Sequence, residues 1–331
     1  MGALRHAILG LLVALGILAV LDLGVRLWFP HTERLNANFS ADYLARETEA
    51  LRGTHPIVVL GDSVLWGYGL RADQAAPALL RRRGLPIANL SYEGGSLPNT
   101  YAMLRLLLAE GVQPRLVVFN VNQKEFNAVD SAYATLHPSV EKLSWNLLPT
   151  SARAALQPTQ SASGPGTLQR GIESVWQLYG MRTDLRELLF GDVDAAHAVL
   201  DEVQRLSGEH VREQLAHRPT PDKFEGTYDL TPLAPDNVGM QYLRLVTDLL
   251  RQRHIAAVAI LTPTNHALLH EYIDVPQYQS NLAVTRRALT AGGVRVLDLD
   301  AAFPATEFLD NDHLDARGNV VLADRLEPAL R

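Results

Sequence analysis

The stretch HPIVVLGDSVLWGYG, residues 55–69, decides the fold. Its apolar, β-branched run from Ile57 to Leu60 is too short for a buried helix, and it stops abruptly at Gly61-Asp62-Ser63. That pattern predicts a buried parallel strand feeding a loop at the carboxyl edge of a sheet. A serine placed there presents its hydroxyl where ligands of open α/β sheets bind, but it becomes a nucleophile only if a base can take its proton. By itself Gly-Asp-Ser is more often a turn or a helix cap.

The pattern around this stretch repeats the strand. DQAAPALLRRRG from Asp73 predicts a helix, with an acidic start and a closing Gly84. PIANLS from Pro86 predicts a second strand, EGGS a turn, NTYAMLRLLLAEG from Asn99 a second helix, and LVVFNVN from Leu116 a third strand. Strands and helices alternating at this spacing predict right-handed crossovers and a parallel sheet covered on both faces. Regular order breaks over roughly residues 128–235, where helical pieces (IESVWQLYG, DAAHAVLDEVQRLSGEHVREQLAH) alternate with the loop QPTQSASGPG and the Pro-rich RPTPDK, as in a helical insertion or cap. It resumes with the helix NVGMQYLRLVTDLLRQRH, the strand IAAVAILTPTNH, a helix through NLAVTRRALTAGG, a fifth strand from Val294 and a last helix from near Asp315. No internal repeat or long heptad pattern is present.

Composition narrows the function. A chain of 331 residues with 47% hydrophobic and 20% charged residues can bury a full core. The net charge of -6, from Lys+Arg 30 against Asp+Glu 36, disfavours general nucleic-acid binding. With no cysteine, disulfides, thiolate nucleophiles, Cys-ligated zinc, iron-sulfur clusters and a lipoprotein anchor are all excluded. No Gly-x-Gly-x-x-Gly follows a strand, so no nucleotide cofactor is expected. The acidic end segment carries one histidine among carboxylates and completes no evident metal set.

The first residues address location. AILGLLVALGILAVL, residues 7–21, is uncharged, and the segment 7–29, counted through Asp22 and Arg26, is expected to be a transmembrane anchor. Asp22 and Arg26 lie four apart on one helix face and can reach the outer interface near Trp28. A cleaved signal peptide would need a small-x-small site that VLDLGVRLW does not supply, and a buried soluble helix is the other alternative. Arg5 inside against Arg26 outside gives only a slight orienting bias, and an extracytoplasmic domain is expected because soluble cytoplasmic chemistry would need no such helix. Residues 30–54 would then be a polar spacer and 55–331 the main domain.

The base comes from the far end of the chain. In a parallel domain, the loop after the fifth strand opens on the same edge as Ser63, so His313 of Asp310-Asn311-Asp312-His313 can reach the hydroxyl. Asp310 is the expected orienting acid, with Asp312 and Asp315 as rivals. Backbone N–H groups of Ser63 and Gly94, together with an amide from Asn122 or Asn120, are the candidate oxyanion donors. Each has a plainer reading: Gly94-Gly95 as a turn, the amides as partners of buried loop backbone.

These residues resemble the SGNH or GDSL hydrolase superfamily. VVLGDSVLWGYG is similar to its first block, NLSYEG to its second and DNDHL to its last. The resemblance implies a three-layer, flavodoxin-like α/β fold, Ser63 as nucleophile, Gly94 in the oxyanion hole, and Asp310 and His313 as the other triad members. The third block departs: in VVFNVNQKEFN, strict spacing puts Lys124 where Asn is expected and Asn122 at the glycine position. The order of anchor, serine block, helical middle, TPTN strand end and final Asp-x-x-His is also similar to membrane-anchored proteins of D-alanyl-lipoteichoic acid biosynthesis and to periplasmic partners of membrane-bound O-acyltransferases. That likeness implies a serine esterase or O-acyltransferase acting on an acylated cell-envelope glycopolymer, with a membrane-bound O-acyltransferase as partner. A tethered esterase or lipase, and a non-catalytic scaffold for the membrane enzyme, are the competing readings.

Overall fold

The computed structural model describes residues 2–28, 33–36, 39–127, 131–156, 220–228 and 230–331. The helix α1 (Gly2–Trp28) is followed by α2 (Ala41–Ala50), β1 (Ile57–Leu60), α3 (Ser63–Trp66), α4 (Ala76–Arg82), β2 (Ile87–Asn89), α5 (Leu97–Ala109) and β3 (Leu116–Val121). After the short helices α6 (Pro138–Ser144) and α7 (Thr150–Ala155) come α8 (Val238–Gln252), β4 (Ala256–Leu261), α9 (His266–Ile273), α10 (Pro276–Ala291), β5 (Arg295–Asp298) and α11 (Ala316–Leu330).

The five strands form one parallel sheet in the order β2-β1-β3-β4-β5. All five were expected. Side chains alternate across it with period two. Val58, Leu60, Val117, Phe119, Ala259 and Leu261 face one apolar cluster with α5, α8 and α10, while Ile57, Val59, Val118, Val258 and Ile260 face the other with α4 and α11. Sheet and covering helices make the three layers expected, and strands buried on both faces read as continuous apolar runs for that reason. The order reverses at β1, so the crevice between the carboxyl ends of β1 and β3 is the switch point where open sheets place their sites.

Three local features differ from the sequence reading. The helix expected from Asp73 starts at Ala76, because Ala72–Gln74 forms a separate 3-10 turn and Pro77 sits in the first helical turn. An additional helix, α9, begins directly after the TPTN strand end, capped by the Asn265 side chain on Leu268 N. The segment expected to be a spacer is packed: Leu35, Phe39, Tyr43 and Leu44 are buried in the core. Arg34 lies over the Trp66 ring at 4.0 Å and donates to the carbonyls of Trp66, Gly67 and Leu70 at 3.2, 2.9 and 2.9 Å. It ties this segment to the end of α3.

Helix α1 has 27 residues, and Leu9, Val13, Ile17, Val20 and Leu23 are each more than half exposed on it. Among the described residues no helix is long and apolar enough to cross a membrane. The fold therefore does not establish the transmembrane assignment of 7–29. Within the insertion, Thr220–Lys223 of RPTPDK is described and leads into a 3-10 turn over Pro221–Phe224. IESVWQLYG, DAAHAVLDEVQRLSGEHVREQLAH and QPTQSASGPG lie outside the described residues.

Candidate active site

The serine loop is built by close backbone approach. Gly61 has φ +144, and a Cβ there would lie 2.0 Å from Asn120 Oδ1; one on Gly95 would lie 2.1 Å from Gly61 O. Asn120 Oδ1 accepts from Asp62 N at 3.1 Å, and its Nδ2 donates to Thr262 Oγ1 at 3.0 Å, so a β3 side chain clamps the β1 loop to β4. Asp62 caps α3 by accepting from Val64 N at 2.8 Å. Ser63 is the first residue of α3, and its N–H has no intrahelical acceptor.

The last loop supplies the rest. Leu309 N donates to His313 O at 2.8 Å, and Phe308 bridges antiparallel to Leu314, making a tight turn over 309–313. Asp310 Oδ1 accepts from the backbone N–H of His313 and Asp312 at 2.9 and 3.2 Å, which aims its other oxygen at the ring. His313 Nδ1 lies 2.7 Å from Asp310 Oδ2, and His313 Nε2 lies 2.7 Å from Ser63 Oγ. With Nδ1–H donating to the carboxylate, Nε2 is the acceptor for the serine hydroxyl. Asp315, a rival acid in the sequence, is instead the cap of α11, accepting from Gly318 N at 2.8 Å.

Electrostatics follow from this packing. Burial works against charge on His313, but the hydrogen bond to Asp310 and the fields of Asp312 and Asp310 outweigh it and raise its pKa above the ordinary value. Burial likewise opposes charge on Asp310, and the bonds and charge of His313 prevail and lower it. Burial raises the Asp62 carboxyl, with Asp312 adding to the effect and Lys124 opposing it.

The candidate oxyanion donors divide. Gly94 has φ +78 and open space where a Cβ would stand, so its backbone can approach a substrate. Asn122 is 1% exposed; its Nδ2 donates to Asp312 Oδ2 at 2.6 Å and its Oδ1 accepts from Lys124 N at 3.3 Å. The amide thus serves a buried carboxylate instead of the crevice, as does the Lys124 Nζ, 2.5 Å from the same oxygen. Asn120, the other amide considered, holds the serine loop.

Three contributors had no role assigned from the sequence. Glu125 accepts from Leu97 N at 2.6 Å and Asn122 N at 3.1 Å, joining α5 to the end of β3; the capping spacing Asn122-x-x-Glu125 was its readable signal. Burial, with the field of Asp62, pushes the Glu125 carboxyl up to about 8. Asn265 donates through Nδ2 to Asp310 O at 3.0 Å and through its backbone to Asn311 O at 2.8 Å, so the TPTN strand end supports the acidic loop. The Tyr68 ring lies 4.5 Å from that of His313 and is 41% exposed, roofing the imidazole. Neither contact has a local signal.

Asp310, Asp312 and His313 offer ligand-type atoms within 4.8 Å of one another, but the imidazole and the Lys124 ammonium already engage these carboxylates. A pocket of about 280 Å³ borders Asp310, lined by Asn265, Leu268, Ala305, Phe308 and Leu309 among others.

The chain is similar to two solved structures: a G-D-S-L family protein from Desulfitobacterium hafniense DCB-2 at 11% identity, covering 83% of this chain and 99% of that one, and TesA at 13% identity, covering 84% and 98%; the TM-score is 0.40 in both cases. No family model matches the chain. No curated protein matches it.

Proposed function

We propose that this chain is an SGNH-type serine esterase or O-acyltransferase, held at the cytoplasmic membrane by α1 and acting outside it on acyl esters of a cell-envelope polysaccharide. The observation that carries the acyl-transfer reading is the unbroken chain from Ser63 Oγ to His313 Nε2 at 2.7 Å and from His313 Nδ1 to Asp310 Oδ2 at 2.7 Å. A hydroxyl, an imidazole and a fixed carboxylate in that order are what nucleophilic acyl transfer requires.

His313 takes the Ser63 proton as the hydroxyl attacks the ester carbonyl, and Asp310 steadies the imidazolium that forms. The N–H groups of Ser63 and Gly94 are the donors we assign to the developing oxyanion. The imidazolium then protonates the leaving alcohol, and the acyl-serine passes to water or to a sugar hydroxyl. The membrane location rests on the exposed apolar side chains of α1, and the polymer substrate on the likeness of motif order to envelope-modifying acyl-transfer proteins.

The scaffold reading draws on one observation, the withdrawal of Asn122 to Asp312. The close Ser63–His313 contact weighs against it. The deciding experiment treats the full chain in detergent micelles with a serine-reactive organophosphonate and maps the labelled peptide by mass spectrometry. Labelling at Ser63 that disappears in His313→Ala supports an enzyme; folded protein left unlabelled at Ser63 rejects it in favour of a scaffold.

A further inference from the structure

The charged group that replaces the expected third-block amide stands behind the triad. Asp312 is fully buried, and its two carboxylate oxygens have different company. Oδ2 is held by Lys124 Nζ at 2.5 Å and Asn122 Nδ2 at 2.6 Å, whereas Oδ1 has no hydrogen-bond partner among the described residues and lies 3.4 Å from His313 Nδ1. A buried carboxylate oxygen without a donor is costly unless something nearby uses it, and the atom it faces is the ring nitrogen that carries the proton when Ser63 is activated.

We propose that Lys124 and Asp312 act together as positioning residues for His313: the Asp312 carboxylate backs the imidazole at Nδ1, and the Lys124 ammonium offsets that carboxylate so that the ring still gives up its proton. The inference rests on the reading of His313 as the base of Ser63. A second carboxylate alone would over-stabilise the imidazolium and leave the base protonated. The Lys124 charge, 15% exposed along its side chain and anchored on the same carboxylate, restores the balance. This replaces a neutral amide at the mouth of the site with a buried charge pair at its back.

The surrounding charges are consistent with that division of labour. From its own loop His313 meets Asp310 and Asp312; from the start of α3 it meets Ser63 and the field of the capping Asp62; the Tyr68 ring covers it. Lys124 is also faced by Tyr133 and Tyr228. Asp312 raises the His313 pKa and Lys124 lowers it, while Asp312 and Asp62 keep Lys124 charged against the effect of burial.

The test uses the full chain in detergent micelles, with isotope-labelled histidine rings. The His313 resonance is assigned by its loss in His313→Asn and titrated by NMR, beside the pH profile of kcat/KM on p-nitrophenyl acetate. Lys124→Met should move the His313 midpoint upward and Asp312→Asn should move it downward, with Lys124→Arg staying close to wild type. Coincident midpoints in wild type and the two charge-removing variants would overturn the proposal, as would a Lys124→Arg shift as large as that of Lys124→Met. If Lys124→Met fails to show cooperative unfolding, the comparison of Asp312→Asn with Lys124→Arg decides. Absent ester turnover in wild type would count against the enzyme reading, yet the NMR midpoints would still answer for the pair.

Discussion

Asn319 in α11 joins two distant parts of the fold: its Oδ1 accepts from Ala76 N, the start of α4, at 3.0 Å. Its Nδ2 donates to Leu314 O and Asp315 O at 3.0 and 3.1 Å, next to the triad histidine. The side chain is 1% exposed, so truncation leaves those backbone groups without water. Asn319→Ala should destabilise the chain by about 2–3 kcal/mol, read from chemical denaturation, and reduce turnover in the surviving folded protein.

Three glycines near the site should respond unequally. Gly61→Ala and Gly95→Ala each drive a methyl into polar atoms at 2.0 and 2.1 Å, and the first displaces the oxygen that holds Asp62 N. Each should destabilise by about 3 kcal/mol or more and abolish labelling at Ser63. Gly94→Ala meets open space, so its expected stability loss is only the about 1–2 kcal/mol of a non-glycine at positive φ, with a disproportionate fall in kcat/KM. Equal stability and activity losses at Gly94 would remove it from the oxyanion site.

Turnover should rise with pH. His313 must be neutral to accept the serine proton, and its pKa lies above the ordinary value in the fold, so the acid limb of kcat/KM is expected to have its midpoint above about 6.5. Asp310→Asn should lower kcat by roughly 10³–10⁴-fold while leaving the unfolding transition near that of wild type. A loss below tenfold would assign the orienting role elsewhere.

A second histidine governs stability. His266 bridges Asp300 at 2.9 Å and Asp274 at 3.0 Å, and these bonds, the Asp300 bond foremost, raise its pKa to about 9 against the opposing effect of burial. A folded pKa above the unfolded one, about 6.5, gives stability that is complete below pH 6.5 and lost as pH rises through 9. The expected loss is on the order of 2 kcal/mol across that window. Thermal melting against pH should show this slope in wild type and lack it in His266→Gln.

Arg34 offers a test of the packed N-terminal segment. Its three bonds to the carbonyls of Trp66, Gly67 and Leu70 fasten the loop that follows Ser63. Arg34→Met keeps the stem over Trp66 but removes those donors, and should speed hydrogen exchange in residues 66–70 while costing about 1–2 kcal/mol. Unchanged exchange there would show that the loop holds without the segment.

What the sequence made legible was whatever depends on local pattern. Apolar runs such as Ile57–Leu60 and Val117–Val121 identified central strands because both faces are buried, and Asp310-x-x-His313 exposed its role because the carboxylate and imidazole belong to one turn. The docking of Leu35, Phe39 and Tyr43 was not legible, since the amphipathic segment containing them reads as well for a free spacer as for a packed one. Nor was the fate of Asn122 and Lys124. Whether an amide faces the crevice or a carboxylate depends on Asp312, 190 positions away, and no local pattern encodes that contact.

The contact between Ser63 and His313 spans 250 positions of chain, so it forms only after the turn over 309–313 has been made and packed against the serine loop. A polypeptide emerging amino end first therefore carries an idle hydroxyl until His313 has been added and placed. The hydroxyl meets its base only once the turn carrying Asp310 and His313 is in place, so chains shorter than that hold a serine without a proton acceptor.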